Sequence, residues 1–252
     1  MVAEVPGDHG LYVHPAWAAA TPSVIQGTTA GGVDMSLFGV APVGEVIGRW
    51  VRLREALGCR AIVHARQVHG GDVLLHGELP QGLVLAPDAD GHVTTVPAIA
   101  LAVSVADCVP VFVAAPDRRG VCLLHAGWRS AAAGILEAGI ARLARAAACM
   151  PADLLIHLGP AICGACYEVG PDVAEDLGVA VAARSASDDG PERVHLDLRA
   201  VLASRALACG VPARRVTVSA HCTRCGGDVF YSHRAGCRER QIAILGLSAA
   251  AM

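Results

Sequence analysis

Two histidines and a cysteine, His69, Cys108 and His125, stand where apolar, β-like runs end. A strand end carries its side chain to the rim of a sheet, where several such ends can converge. Two imidazoles and one thiolate are three ligands for Zn²⁺, with a fourth position left for water or substrate, which is the ligand count of a catalytic zinc site. The thiolate favours Zn²⁺ or Cu(I) over hard cations. The intervals of 39 and 17 residues match no local metal motif. On spacing alone, three half-buried residues at strand termini are the competing reading. The same trio also fits a Cys–His nucleophile pair: Cys108 attacks, His125 or His69 takes its proton, and Asp107 orients a histidine.

Two CxxC elements, Cys163/Cys166 and Cys222/Cys225, offer a second cluster. Their halves lie 56 residues apart, far beyond the usual interval of a four-cysteine ribbon. Cys222 and Cys225 with His233 and Cys237 make a compact alternative set for a structural zinc. We read all of these cysteines as small buried apolar side chains first. Arg129, Arg224, Arg234, Arg238 and Arg240 can fork onto a phosphate or carboxylate, but each is read first as a surface or intramolecular partner. His9, His14, His64, His76, His92, His157 and His195 show no pattern and are read as structural. Trp128 reads as a packing anchor.

The elements that must position these residues alternate between β-like and helical runs. Gly48–Leu57 has helical apolar spacing and stops at Gly58. Arg60–His64, Asp72–Leu75, Ile99–Val105, Val109–Ala115, Val121–Leu124, Leu154–Leu158, Val216–Ser219 and Gln241–Leu247 read as strands, with Pro80–Asp90 as loop. Pro116–Gly120 reads as a hairpin loop. Ala131–Ala148, Val173–Ala183 and Leu198–Cys209 read as helices. Strands and helices mixed along the whole chain, with one clear hairpin, predict a mixed sheet in an α/β fold.

Composition narrows the functions. At 252 residues, 54% hydrophobic and 17% charged, the chain is long and apolar enough to bury a core and is not disordered. A net charge of −3 counts against non-specific nucleic-acid binding. All 20 basic residues are Arg, so Schiff-base and lysine-base mechanisms are excluded. The apolar stretches are shorter than a bilayer requires. Glu4 and Asp8 stand where a signal peptide carries basic residues. Together these predict a cytoplasmic protein with free thiols or metal ligands rather than disulfides.

Read together, the motifs carry a resemblance. Gln67-Val68-His69-Gly70, Ala106-Asp107-Cys108-Val109-Pro110-Val111-Phe112 and His125-Ala126-Gly127-Trp128-Arg129 resemble the multicopper polyphenol oxidoreductase (laccase) family, also called the YfiH or DUF152 family. Gly159-Pro160-Ala161-Ile162, Cys166-Tyr167-Glu168-Val169, Leu196-Asp197-Leu198, Cys222-Thr223-Arg224-Cys225 and Phe230-Tyr231-Ser232-His233-Arg234 continue it in order over roughly residues 61–245. The resemblance implies one α/β (α+β) domain over residues 1–252, with layered mixed β-sheets flanked by helices, similar to a cytotoxic-necrotizing-factor-like cysteine hydrolase. It implies a zinc held by His69, Cys108 and His125, and a small-molecule substrate. The implied activities are phosphorolysis of adenosine, inosine or methylthioadenosine and deamination of adenosine. Asp107 and Glu168 are the candidate general acids. Copper is the lesser expectation, because copper oxidases are rich in His-x-His pairs and this sequence has none. A metal-free Cys–His hydrolase or amidase acting on peptidoglycan precursors, and a non-catalytic member that kept the scaffold, are the competing classes.

The N-terminal part departs from the family pattern. Members carry a TTR-x-GG-V-S segment and then N-L-G; this chain reads Thr28-Thr29-Ala30-Gly31-Gly32-Val33-Asp34 and Ser36-Leu37-Phe38-Gly39. The metal trio is untouched, but a buried phosphate loses an arginine partner, which counts against phosphorolysis.

Overall fold

The runs Ile99–Val105 and Gln241–Leu247 are buried at nearly every position, as strands covered on both faces must be. They pair antiparallel, Ala243 opposite Val103, and form the centre of the larger of two main sheets. The structure, a computed structural model, describes residues 1–20, 23–39, 41–180 and 193–249. In chain order these form β1 (Val5–Pro6), β2 (Leu11–Val13), α1 (Pro15–Ala20), β3 (Val24–Thr29), α2 (Val43–Ala56), β4 (Ala61–Ala65), β5 (Val73–His76), β6 (Gly82–Ala86), β7 (Gly91–Thr94), β8 (Ile99–Val105), β9 (Val109–Ala114) and β10 (Val121–Ala126). They continue with α3 (Trp128–Ala132), α4 (Ile135–Ala146), β11 (Leu155–Leu158), β12 (Glu168–Val169), α5 (Pro171–Asp176), β13 (Val194–His195), α6 (Leu198–Ala208), β14 (Val216–Val218) and β15 (Gln241–Leu247).

Among the described residues one sheet runs β1-β2-β3-β15-β8-β4-β6, a second runs β14-β11-β9-β10-β7-β5, and β12-β13 form a small ribbon. The parallel pairs β4–β6, β4–β8, β5–β7 and β11–β14 make both large sheets mixed, as the sequence predicts.

Side-chain parity explains the layering. On β8 and β15, Leu101, Val103 and Leu245 meet Phe112, Val121 and Leu123 from β9 and β10 between the two sheets. The opposite parity, Ala100, Ala102, Ile242 and Ile244, packs on α2 through Val46, Trp50 and Leu53. Those three helix residues recur at the spacing of one helical face, and Trp50 Nε1–H donates to Met35 O at 2.9 Å. The outer face of the second sheet, including Val111, Val113 and Leu124, packs on Ile135, Leu136, Ile140 and Leu143 of α4 and Leu202 of α6. The order is helix, sheet, sheet, helices. No helix among the described residues is long and apolar enough to cross a membrane.

Several boundaries differ from expectation. The single helix expected over Ala131–Ala148 is two, because Gly134 adopts φ +79 and turns the chain between α3 and α4. The helix expected over Val173–Ala183 stops at Asp176. Val179 N donates to Ala174 O and Gly178 N to Glu175 O, a Schellman closure on a left-handed Gly178. Residues 181–183 of that expectation lie outside the described residues. Pro80–Asp90 is not all loop: β6 pairs parallel with the β4 edge, Ala61 opposite Gly82. The N-terminal elements β1 to β3 and α1 carry no strong periodicity. Of these, β3 is placed by antiparallel pairing with distant β15.

Candidate metal centre

Each member of the trio leaves a different strand. His69 follows β4 in a loop and holds a left-handed backbone, φ +57. Gln67 anchors that loop: its amide donates to Ser104 O at 2.8 Å and its carbonyl accepts from Ser104 N at 2.7 Å, pairing with β8 as a backbone would. Asp90, fully buried, completes the anchoring by accepting from Val68 N at 3.0 Å and Gly70 N at 2.8 Å through Oδ2. Cys108 ends the turn from β8 into β9. The preceding Asp107 has φ +84, a conformation costly for a non-glycine residue. It is held by Thr223 Oγ1 and Arg234 N, both donating to its carboxylate at 2.6 Å. His125 lies near the end of β10 with the parity of Val121 and Leu123, so it points into the space between the sheets.

There the three side chains meet. One ligand atom from each of His69, Cys108 and His125 lies within 4.8 Å of the others. The two rings are 4.9 Å apart, edge to face. His125 Nδ1–H donates to Asp90 Oδ1 at 2.8 Å, which turns Nε2 towards Cys108. Gly127 makes room: a Cβ there would stand 3.0 Å from His69 Cδ2 and 3.1 Å from Cys108 Sγ.

The charges reinforce one another. Burial alone raises the Cys108 thiol, but the His125 charge and hydrogen bonds from His125 and His69 outweigh it and lower the thiol to about 6. Burial alone lowers His125, yet the Cys108 charge and the Asp90 and Cys108 hydrogen bonds raise it to about 9. Burial raises the Asp90 carboxyl, while the His125 hydrogen bond and the Gly70 and Val68 N–H groups hold it below its ordinary value. Burial, and then the His125 charge, push His64 down to about 4.

The trio opens on a cavity of about 370 Å³, also lined by Ser36, Phe38, Gly39, His64, Arg66, Gln67, Ser104, Ala106, His233, Arg238 and Arg240. His64 Nε2 lies 3.0 Å from Ser104 Oγ, and its Nδ1 has no hydrogen-bond partner among the described residues.

Several expectations need correction. Asp107 does not orient a histidine; Asp90, at the end of the stretch expected as loop, does so. Nor is Asp107 a free acid, since both its oxygens accept hydrogen bonds. Glu168 is exposed on β12 beside His195, away from the cavity. His64 is a cavity residue rather than a purely structural one. His157 pairs with Glu4 at 2.7 Å, and His76 with His92 at 2.9 Å, as structural histidines do. Arg129 stacks on Trp128 at 4.2 Å and does not line the cavity. Arg224 donates to Cys166 O and Arg234 to Glu168 O, whereas Arg238 and Arg240 do line it. Ala30, where the family's arginine is expected, lines a separate cavity of about 420 Å³ beside Arg49 and Arg52. The set Cys222, Cys225, His233 and Cys237 does not gather: His233 faces the first cavity, and the two CxxC pairs meet each other instead.

The sequence profile of the multi-copper polyphenol oxidoreductase laccase family matches residues 43–248. The chain belongs to this family. Among its relatives, a purine nucleoside phosphorylase from Xylella fastidiosa is 37% identical over 202 residues, 77% of this chain and 75% of that protein. Adenosine deaminase RL5, from an unknown prokaryotic organism, is 33% identical over 208 residues, 80% of this chain and 76% of that protein. The crystal structure of YlmD from Geobacillus stearothermophilus superposes with a TM-score of 0.85 at 28% identity, over 99% of this chain and 100% of that one. The mixed, layered α/β fold expected from the family motifs is therefore the family's fold.

Proposed function

We propose that this chain, acting as one domain over residues 1–252 in the cytoplasm, is a zinc-dependent purine nucleoside enzyme with His69, Cys108 and His125 as metal ligands. One observation carries the reading: two imidazole nitrogens and a thiolate converge at the floor of an open cavity, and Asp90 orients the His125 ring. The donor set fits the ion, because a thiolate with two nitrogens suits zinc, and a carboxylate behind a ligating histidine is the usual support. When bound, zinc supplies Lewis acidity that makes water nucleophilic near neutral pH.

The chain's own residues do the rest. Phe38 offers an aromatic face to a purine ring. His64, kept neutral by burial, braces the cavity wall through Ser104. Arg238 and Arg240 supply the cations that Ala30 does not, and a phosphate held by their forks would sit beside the nucleoside. Deamination needs no such anion; phosphorolysis does.

The test is a nucleoside panel, with and without phosphate, on wild type and Cys108→Ala. Wild type is expected to release ammonia and inosine from adenosine, and free base with ribose 1-phosphate when phosphate is present. Unchanged yields in Cys108→Ala overturn the scheme. A second reading, a metal-free Cys–His hydrolase, draws on the same contact between Cys108 and His125. Stoichiometric zinc lost in Cys108→Ala favours the first reading; zinc-free protein whose Cys108 is alkylated fast and selectively favours the second.

A further inference from the structure

The four thiols of Cys163, Cys166, Cys222 and Cys225 converge although their two halves are 56 residues apart in sequence. Their sulfurs all lie within 4.8 Å of one another, and Cys163 Sγ is 3.9 Å from Cys225 Sγ. We infer that these four cysteines form a structural zinc site of their own, separate from the His69–Cys108–His125 trio.

Three observations carry this beyond cysteine packing. First, the separation is right. Four sulfurs about 2.3 Å from a tetrahedral zinc lie roughly 3.8 Å apart, whereas a disulfide brings two sulfurs to about 2.05 Å. Second, each half is a tight turn of the knuckle type. Cys166 N donates to Cys163 O at 3.0 Å and Gly226 N to Cys222 O at 2.9 Å. Backbone N–H groups of Cys163 and Cys225 also point at Cys222 Sγ, at 3.3 and 3.4 Å, the direction that stabilises a thiolate. Third, the surroundings argue against four apolar plugs. Cys225 is exposed and Cys163 and Cys166 are half-buried, as suits a surface metal knot rather than a core. Four soft sulfur donors in a tetrahedral set select zinc or iron, and only zinc requires no redox partner.

The binding step balances simply. Four thiols release four protons, zinc accepts four sulfur lone pairs, and no group is oxidised or reduced. The fourfold thiolate closure leaves no open position for substrate, so the role is structural.

What the site would hold in place is visible. Thr223, inside the second knuckle, donates to Asp107 Oδ1, and its backbone N donates to Ala161 O at 3.2 Å. Ile162, beside the first knuckle, donates its N–H to Asp107 O at 3.1 Å. Both knuckle segments thus grip the strained residue that presents Cys108. The second ion would lock them together, making these four cysteines positioning residues for the trio.

The experiment uses the full chain carrying Cys108→Ser, which removes the trio's thiolate. Purified under reducing conditions and dialysed, it is expected to keep one zinc per chain. Adding Cys163→Ser or Cys225→Ser should lose that ion. Adding Cys225→His, which keeps four ligands, should retain it. Cobalt in place of zinc should give the intense sulfur charge-transfer bands of a tetrathiolate, weakened in Cys225→His. The inference is overturned if Cys108→Ser has native far-UV circular dichroism without zinc, or with iron in its place. Intact mass showing disulfides among the four cysteines, or equal alkylation rates with and without a chelator, overturns it as well.

Discussion

Asp90 and His125 are joined twice: side chain to side chain at 2.8 Å, and His125 N to Asp90 O at 2.7 Å. The other carboxylate oxygen holds the N–H groups flanking His69. One buried carboxylate therefore orients both histidines. Asp90→Asn keeps the size and removes the charge. Zinc affinity, read by competition with a chromophoric chelator, is expected to fall about 10–100-fold with circular dichroism unchanged. Equal affinity would remove Asp90 from the metal centre.

Protonation gives a second prediction, for the metal-free protein. Cys108 is depressed to about 6, so its thiolate's contribution is complete above the ordinary thiol value and is lost as pH falls through about 6. His125 is raised to about 9, so its imidazolium's contribution is complete below 6.5 and is lost as pH rises through about 9. Between those limits the pair is charged. Iodoacetamide should label Cys108 with a rate that rises near pH 6, and zinc loading at neutral pH should release the His125 proton. A labelling midpoint near the ordinary thiol value of 9.0 contradicts both.

Gly127 tests the spacing of the trio. Its φ of −78 suits alanine, so Gly127→Ala adds only a methyl, aimed at His69 and Cys108. Displacing catalytic groups by a fraction of an ångström to 1 Å costs up to about 100-fold. Turnover should drop at least about 10-fold, with a small change in melting temperature. Wild-type turnover would mean that the trio is not used as a unit.

Arg238 separates the two reactions. In Arg238→Ala the KM for phosphate should rise about 10-fold or more, the loss of one charge-assisted contact, while phosphate-independent adenosine deamination holds. Parallel loss of both activities would assign Arg238 to the nucleoside instead.

Leu123 tests the layer between the sheets. It is fully buried among Leu101, Phe112 and Leu245. Leu123→Ala should destabilise the protein by about 2–5 kcal/mol, measured by denaturant unfolding. Zinc per folded chain should stay unchanged, because no ligand atom is removed.

Much of this was legible from residue order. The β-like runs ending at Cys108 and His125, the His69 turn, the helix over Gly48–Leu57 and the closing strand Gln241–Leu247 are local patterns, and periodicity reports local burial well. What escaped were features set at a distance. Asp90 sits in a stretch rich in turn residues, and its value comes from meeting residues 35 positions later and 20 to 22 earlier. His64 is an ordinary strand residue until Ser104 and Phe38 arrive beside it.

By itself, the sequence determined which side chains are available: no lysine, two histidines and a cysteine at strand ends, and two CxxC turns. These follow from composition and short-range pattern. Tertiary structure alone decided which of them meet. Pairing of β9 with β10 brings Cys108 and His125 together, β4 beside β8 adds the His69 loop, and the bridge of Ala161 to Cys222 joins the two CxxC turns. The reason is physical: sheet registry is set by burying apolar faces many residues apart, and ligand geometry is inherited from that registry.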